Sequence, residues 1–281
     1  MLLDPRLHAY RPDLADVKLK DQVSSLRYAQ GRPFTVAAPV ADVRKAPHAT
    51  AGVMTQALMG EAVAVFDISG GWAWCQLAGD GYVGYMPVDA LVEGTIRATH
   101  LVSVPLTFLY PAADLKSSPR TPVYLNSRLT VRAEGETWAE LADRRFVFRR
   151  HLTPLGAGAA EPASVAVMFE HVPYLWGGKT QQGLDCSGLI QIAFHAAGLA
   201  CPRDSDMIER EVGEPLPLDP DVLARGDLVF WKGHLGMMLD GERIIHANGH
   251  HMLTVIEPVG DALARIESLY GPATSFRRPL R

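Results

Sequence analysis

Cysteine is scarce in this chain: three residues in 281, Cys75, Cys186 and Cys201, with no C-x-x-C pair. That excludes a disulfide framework and gives no support to a structural zinc site. Long apolar runs are missing as well; none approaches the roughly 18 residues that a membrane-crossing helix needs. The opening residues, Met1-Leu2-Leu3-Asp4-Pro5-Arg6, hold no apolar stretch of the kind a secretory signal uses, which predicts a cytoplasmic chain. Excess charge of either sign is also absent. Lys plus Arg is 27 and Asp plus Glu is 31, a net charge of −4, so neither nucleic acid nor an anionic membrane is an expected partner. Because no phosphate-cradling glycine loop and no metal-ligand spacing occurs, no cofactor and no metal are expected. What is present is 48% hydrophobic residues over a length that suits two or three domains.

The texture changes along the chain. Residues 1–33 carry Pro5, Pro12 and Pro33 and read as an arm with a short helix over 14–29, too small to fold alone. From Phe34, short β-rich runs at 63–68, 72–77 and 82–86 are separated by Ser69-Gly70-Gly71 and Gly79-Asp80-Gly81. Strands that short with turns that tight predict a small barrel over 34–97. A second copy follows over 98–155. At an offset of 64, Trp74 matches Trp138, Leu77 matches Leu141, Ala78 matches Ala142, Tyr82 matches Phe146 and Val83 matches Val147. A flexible segment at 154–162 then leads into a region of mixed texture, 163–281. Helices are expected at 164–170 and 186–197, followed by strands at 227–231, 235–239, 243–247 and 252–257, an α+β layout.

Two of the cysteines, Cys75 in a strand-like run and Cys201 at a helix end, read as core packing. Cys186 differs. Asp185 is a good helix N-cap, which places Cys186 in the first turn, where the positive helix end is expected to lower the thiol pKa and favour a thiolate nucleophile. The bases must come from elsewhere, and His234 and His246 flank a hairpin. A three-residue turn through Leu239-Asp240-Gly241, with Gly241 left-handed, sets the two imidazoles directly opposite on one face, whereas a two-residue turn sets them on opposite faces. In the first register His234 takes the Cys186 proton while His246 orients it. His250 and His251 lie nearby as lower-ranked candidates for the third role or for a metal; His171 and His195 read as structural or solvated.

Residues from about 163 to 280 resemble the NlpC-type cell-wall cysteine peptidases, a papain-like fold. The resemblance rests on Pro173-Tyr174-Leu175-Trp176-Gly177-Gly178, Asp185-Cys186-Ser187-Gly188-Leu189, Arg225-Gly226-Asp227-Leu228-Val229-Phe230, Gly233-His234-Leu235-Gly236 and His246-Ala247. The upstream barrels resemble bacterial SH3-like domains through Asp80-Gly81-Tyr82-Val83-Gly84-Tyr85; the second is degenerate. The resemblance implies hydrolysis of the amide between the D-glutamate side-chain carboxyl and an L-diamino acid in peptidoglycan peptides. It makes Cys186 the nucleophile, His234 the general base and His246 the third member, with Tyr174 beside the Cys186 N–H in the oxyanion site. Trp176 and Asp185 belong to the matching motifs. Donors for a substrate carboxylate are sought in Ser187, Ser205 and Arg203. In SH3-containing relatives the ligand begins with L-Ala bearing a free amine, for which Asp204, with Glu61 and Tyr82 of the first barrel, supplies charge and closure. The plainer alternative for Arg203-Asp204 is a solvated ion pair.

The leading expectation is a cytoplasmic endopeptidase that trims free murein peptides during recycling. Its alternatives are a hydrolase of intact wall peptides whose SH3-like domains bind wall polymer, a Cys-His acyltransferase, and a wall-binding module without activity.

Overall fold

The computed structural model describes residues 3–157 and 160–279, and the chain divides into two units, Met1–Ala157 and Gly158–Arg281. Among the described residues no helix is long and apolar enough to cross a membrane.

The first unit is all β apart from single 3-10 turns. Among the described residues its amino-terminal arm contains no α-helix. Ala15–Asp16 pairs in parallel with Tyr28–Ala29, and one 3-10 turn, Val17–Leu19, lies between them. The apolar residues of this stretch do not form a helical stripe: Leu14 and Leu19 are buried, while Val17 and Leu26 are exposed. The arm instead packs on the first barrel. Its Arg11 guanidinium lies 4.3 Å over the Trp74 ring and bonds Asp67 and Tyr85. A seven-stranded sheet between Arg32 and Glu93 forms the barrel. Cys75 is fully buried there, its thiol pushed up to about 12 by burial, so it packs as the sequence predicts.

The repeat is real at its start and slips afterwards. Trp72–Leu77 and Trp138–Leu141 are equivalent strands at offset 64, with Ala139 matching Cys75. Their partners, Val147 and Gly84, are only 63 apart. The matches of Tyr82 with Phe146 and Val83 with Val147 are therefore out of register by one residue. A 3-10 turn and a last strand then recur at offset 61, in Arg149–His151 and Leu152–Pro154.

In the second unit, α1 (Pro162–Val167), α2 (Cys186–Ala196) and α3 (Ser205–Glu211) precede most of the sheet. The sheet comprises β1 (Glu214–Leu216), β2 (Leu228–Trp231), β3 (His234–Met238), β4 (Arg243–Asn248), β5 (Leu253–Pro258) and β6 (Ser275–Arg278). Spatial order is β1-β6-β2-β3-β4-β5, antiparallel throughout. A further helix, α4 (Val259–Tyr270), was not expected from the sequence; it follows directly from β5. Its Val259, Ala262 and Ile266 join Val229, Trp231, Met238 and Ile244 in one core. Alternation sends Leu235, Met237 and Ile245 to the other face, and α2 lies against the same two strands.

Candidate active site

The cysteine loop is built around one carboxylate. Asp185 caps α2 by accepting the Gly188 N–H at 2.7 Å and also accepts the Gly177 N–H at 2.8 Å. Arg203 donates to both oxygens of Asp185 at 3.0 and 2.7 Å and to the Ser187 hydroxyl at 2.7 Å. This pair is buried, with Arg203 1% exposed, so Arg203 does not belong to a solvated pair; the Asp204 charge also acts on it. Arg203 and Ser187, sought as substrate donors, are instead braces of the loop ahead of Cys186. The close fit depends on Gly188, where a Cβ would stand 2.2 Å from the Gly178 carbonyl.

Cys186 begins α2 as expected, but its thiol is not acidified. Burial and the Asp185 carboxylate push it up to about 12, against the N–H groups of Leu235 and Ser187 and the Arg203 charge. The helix end loses to desolvation and a neighbouring anion. The Leu235 N–H beside the sulfur places the thiol next to the start of β3, the strand that carries His234. Tyr174 is half-buried; burial and the Cys186 and Asp185 charges push its hydroxyl up to about 12. Neither that hydroxyl nor the Cys186 N–H has a hydrogen-bond partner among the described residues.

The histidines share a face, though not by the expected register. Met237 pairs with Ile245 and Met238 with Ile244, and Leu239 takes the Arg243 carbonyl, so the turn falls on Asp240-Gly241-Glu242. Asp240 stabilises it by accepting the Glu242 and Arg243 N–H groups, and Gly241 is not left-handed. His234 and His246 are thus diagonal rather than opposite. The residue facing His246 in this register is Gly236, where a Cβ would approach His246 Cβ to 3.1 Å. A missing side chain there lets the His234 ring reach across, and His234 Nε2 lies 2.8 Å from His246 Nδ1.

Two further groups escaped the sequence reading. Glu257 on β5 sits 2.6 Å from His246 Nε2 through Oε1, and Arg265 on α4 grips both Glu257 oxygens at 2.6 Å. Burial would raise the Glu257 carboxyl, but the Arg265 and His246 hydrogen bonds outweigh it and hold it well below the usual range. A carboxylate only accepts, so it fixes the tautomers along the row. His246 donates from Nε2 and accepts at Nδ1; His234 donates from Nε2, leaving its Nδ1 lone pair free. The signal for Glu257 is the one charged residue in its strand, but its alignment depends on the loop at 249–252, whose Met252 has φ +53°.

Burial, together with the His246 and Arg265 charges, lowers His234 to about 3. At neutral pH the site therefore holds a thiol and a neutral imidazole. The unfolded chain binds the extra proton first, so this contribution to stability is complete above the ordinary value of 6.5 and fades as the pH falls toward 3. Denaturation between pH 7 and 5 is expected to show the wild type losing up to about 1.4 kcal/mol per pH unit below that value. His234→Asn is expected to lose less over the same interval; equal slopes would contradict a buried neutral imidazole.

The other candidates are dispersed. Asp204 and Ser205 are half-buried around the start of α3. Trp176 is 69% exposed. His250 stacks edge-on against His251, which bonds Asn248; His195 bonds the Cys201 carbonyl. Glu61 and Tyr82 belong to the first unit, Tyr82 buried and Glu61 half-buried after the turn at Gly60. Among the described residues no group of three or more His, Cys, Asp or Glu is placed to hold a metal.

A helix-start cysteine facing a histidine strand, with tyrosine and backbone donors unengaged, defines a cysteine peptidase of papain-like fold. Residues 171–267 match the NlpC/P60 family and residues 43–91 the bacterial dipeptidyl-peptidase Sh3 domain, so the chain carries an NlpC/P60 domain behind a bacterial SH3 domain. Among curated relatives, the gamma-D-glutamyl-L-lysine dipeptidyl-peptidase of Bacillus cereus is 29% identical over 228 residues, 69% of this chain and 66% of the relative. Its namesake from Bacillus subtilis is 29% identical over 218 residues, 69% and 72%. Dipeptidyl-peptidase 6 of Lysinibacillus sphaericus is 27% identical over 62% of each chain. The chain thus spans about two thirds of the length of these relatives. A crystal structure of an NlpC/P60 family protein from Bacillus cereus shares the fold, with a TM-score of 0.75 and 22% identity over 89% of this chain and all of that one.

Proposed function

We propose that this chain hydrolyses the amide between the γ-carboxyl of D-glutamate and an L-diamino acid in peptidoglycan peptides. The observation that carries the reading is the His234–His246–Glu257 row, which starts on the strand whose Leu235 N–H lies beside the Cys186 sulfur, in a peptidase whose relatives bear gamma-D-glutamyl-L-lysine names. Cys186 Sγ attacks the carbonyl as His234 Nδ1 takes its proton. The oxyanion is met by the Cys186 N–H and the Tyr174 hydroxyl. His234 passes the proton to the leaving amine, then takes one from the water that hydrolyses the thioester. His246 and Glu257 hold the tautomer and balance the imidazolium between these steps.

Glu257 is a positioning residue here. Glu257→Gln can present a donor to His246, so kcat is expected to fall about 10²-fold with KM little changed, read from initial rates. A change confined to KM would contradict that role.

The finer reading is a free peptide with an N-terminal L-Ala, trimmed during recycling in the cytoplasm, with Asp204 of the second unit as the candidate for its amine. The dipeptidyl-peptidase names of the relatives support it, since such enzymes release a dipeptide from a free amino terminus. We propose boundaries of 1–33 for the arm, 34–97 and 98–155 for the SH3-like domains and 163–281 for the peptidase domain. Paired digestion tests the substrate: one tube holds L-Ala-γ-D-Glu-L-diamino acid, the other the same peptide joined to muramic acid. Mass spectrometry should show release of L-Ala-D-Glu in the first alone. Equal cleavage of both would favour hydrolysis of intact wall, and acyl transfer to an added amine would favour the transferase.

A further inference from the structure

Trp231 is the cross-strand neighbour of the base. A two-residue turn, Lys232-Gly233, joins β2 to β3, and Gly233 takes φ +75° there, so Trp231 and His234 pair directly across the hairpin. Such partners share a face with Cβ atoms about 4.5–5.5 Å apart. Their rings meet: the centroids are 5.6 Å apart with 32° between the planes, nearer parallel than perpendicular. The His246 ring is the other aromatic neighbour of His234, 5.1 Å away at 50°.

The bond to His246 does not orient the base by itself. It fixes Nε2, and β3 fixes Cβ, but the ring can still turn about the line joining those atoms, because the χ2 torsion of histidine is soft. That turn carries Nδ1, the atom assigned to take the Cys186 proton. A flat, immobile neighbour lying near-parallel to the ring opposes it. Trp231 is 2% exposed and packed with Met238, Ile244 and Ile266, which hold the indole in place. Tryptophan is not the residue that core packing alone would select. Its Nε1 is buried with no acceptor among the described residues, a penalty that leucine or phenylalanine would not carry. What tryptophan adds is breadth, a plane that spans from the core to the His234 ring.

We propose that Trp231 is a positioning residue for the general base: its indole holds the His234 ring in the plane where Nε2 meets His246 and Nδ1 is presented for proton transfer, and it shuts water from the ring. The proton transfer rests on the γ-D-glutamyl peptidase reading; the state of the ring does not. Burial is the largest cause of the low His234 value, and the indole supplies part of that burial. The charged and titratable groups around the ring are His246 of β4, Glu257 of β5 and Arg265 of α4. Lys232, Tyr174 and His250 line the cleft that His234 borders, and the Cys186 thiol of α2 lies beside the Leu235 N–H. All of these remain in a Trp231 variant, so altered proton binding by His234 there reports on the indole.

The test compares Trp231→Leu with Trp231→Phe in the full chain. Both vacate part of the same core, but only phenylalanine keeps a flat ring. On L-Ala-γ-D-Glu-L-diamino acid between about pH 5 and 8, Trp231→Leu should lose about 10- to 100-fold in kcat with KM little changed, the scale of a misplacement of about 1 Å. Its acid limb should move to higher pH, since a wetter imidazole protonates more readily and only the neutral ring is a base. Trp231→Phe should restore most of kcat and the lower limb. Proton–nitrogen correlation spectra of nitrogen-labelled histidines, with His234 assigned from His234→Asn, should show a single tautomer protonated at Nε2 in the wild type and Trp231→Phe. Trp231→Leu should show exchange between tautomers. Should Trp231→Leu fail to fold, Trp231→Met fills the core without a plane and takes its place. Equal losses in both variants, with an unmoved acid limb and an unchanged tautomer, would reduce Trp231 to core packing and overturn the proposal. A wild type that cleaves no peptide would overturn the peptidase reading, while the nitrogen spectra would still decide the role of the indole.

Discussion

Cys186→Ala is expected to lower kcat/KM on a γ-D-glutamyl tripeptide by about 10⁴-fold or more, with the thermal midpoint little changed. The sulfur is the one thiol at a helix start beside the β3 histidine. Cys75 is sealed in the first barrel and Cys201 faces the Pro202 carbonyl, so neither can substitute. Because the Cys186 thiol is pushed up to about 12, it is not a standing thiolate, and attack depends on a base, the role proposed for the Nδ1 lone pair of His234. His234→Ala should therefore lose nearly as much as Cys186→Ala, and the double variant little more, since the two act as one unit. Rates on the tripeptide by mass spectrometry decide this. An His234→Ala enzyme within tenfold of wild type would show that the thiol ionises without its base.

Arg203→Met is expected to destabilise the second unit by about 3–5 kcal/mol, because it leaves the Asp185 carboxylate buried without its cation. The residue is 1% exposed and makes three hydrogen bonds to Asp185 and Ser187. Had it paired at the surface with Asp204, its loss would cost only about 0–1 kcal/mol. Adding Asp185→Asn to Arg203→Met should recover part of the loss, since no charge is then stranded, although the helix cap is weakened. Denaturant titration of the three variants measures the coupling. Costs that simply add would mean that Arg203 and Asp185 do not act as a buried pair.

Much of the site was legible in short spans of sequence. Asp185 followed by Cys186 at a helix start, and two histidines on the adjacent strands of one hairpin, are local features that a cap rule and strand alternation reach directly. The shared histidine face survived an error in register because a shift of two in pairing keeps the face; only the relation changed, from opposite to diagonal. Glu257 and Arg265 were not legible. Their meeting depends on the 249–252 loop and on where α4 returns across the sheet, both long-range outcomes. The thiol pKa was misjudged for a related reason. A helix end is visible in sequence, whereas the burial that overrides it arises from strands about fifty residues downstream. In the arm, spacing suggested a helix, but the docking of Arg11 on Trp74 and Asp67 favoured extended chain.

The central claim is that Cys186 forms a thioester with the γ-glutamyl group, using His234 as the base. The most direct measurement is a rapid acid quench of enzyme and tripeptide during turnover, followed by peptide mapping. The account predicts an L-Ala-γ-D-glutamyl adduct on the peptide containing Cys186, absent from the Cys186→Ala and His234→Ala enzymes. Product release with no adduct at Cys186 under conditions that trap thioesters, or an adduct on another residue, would contradict it.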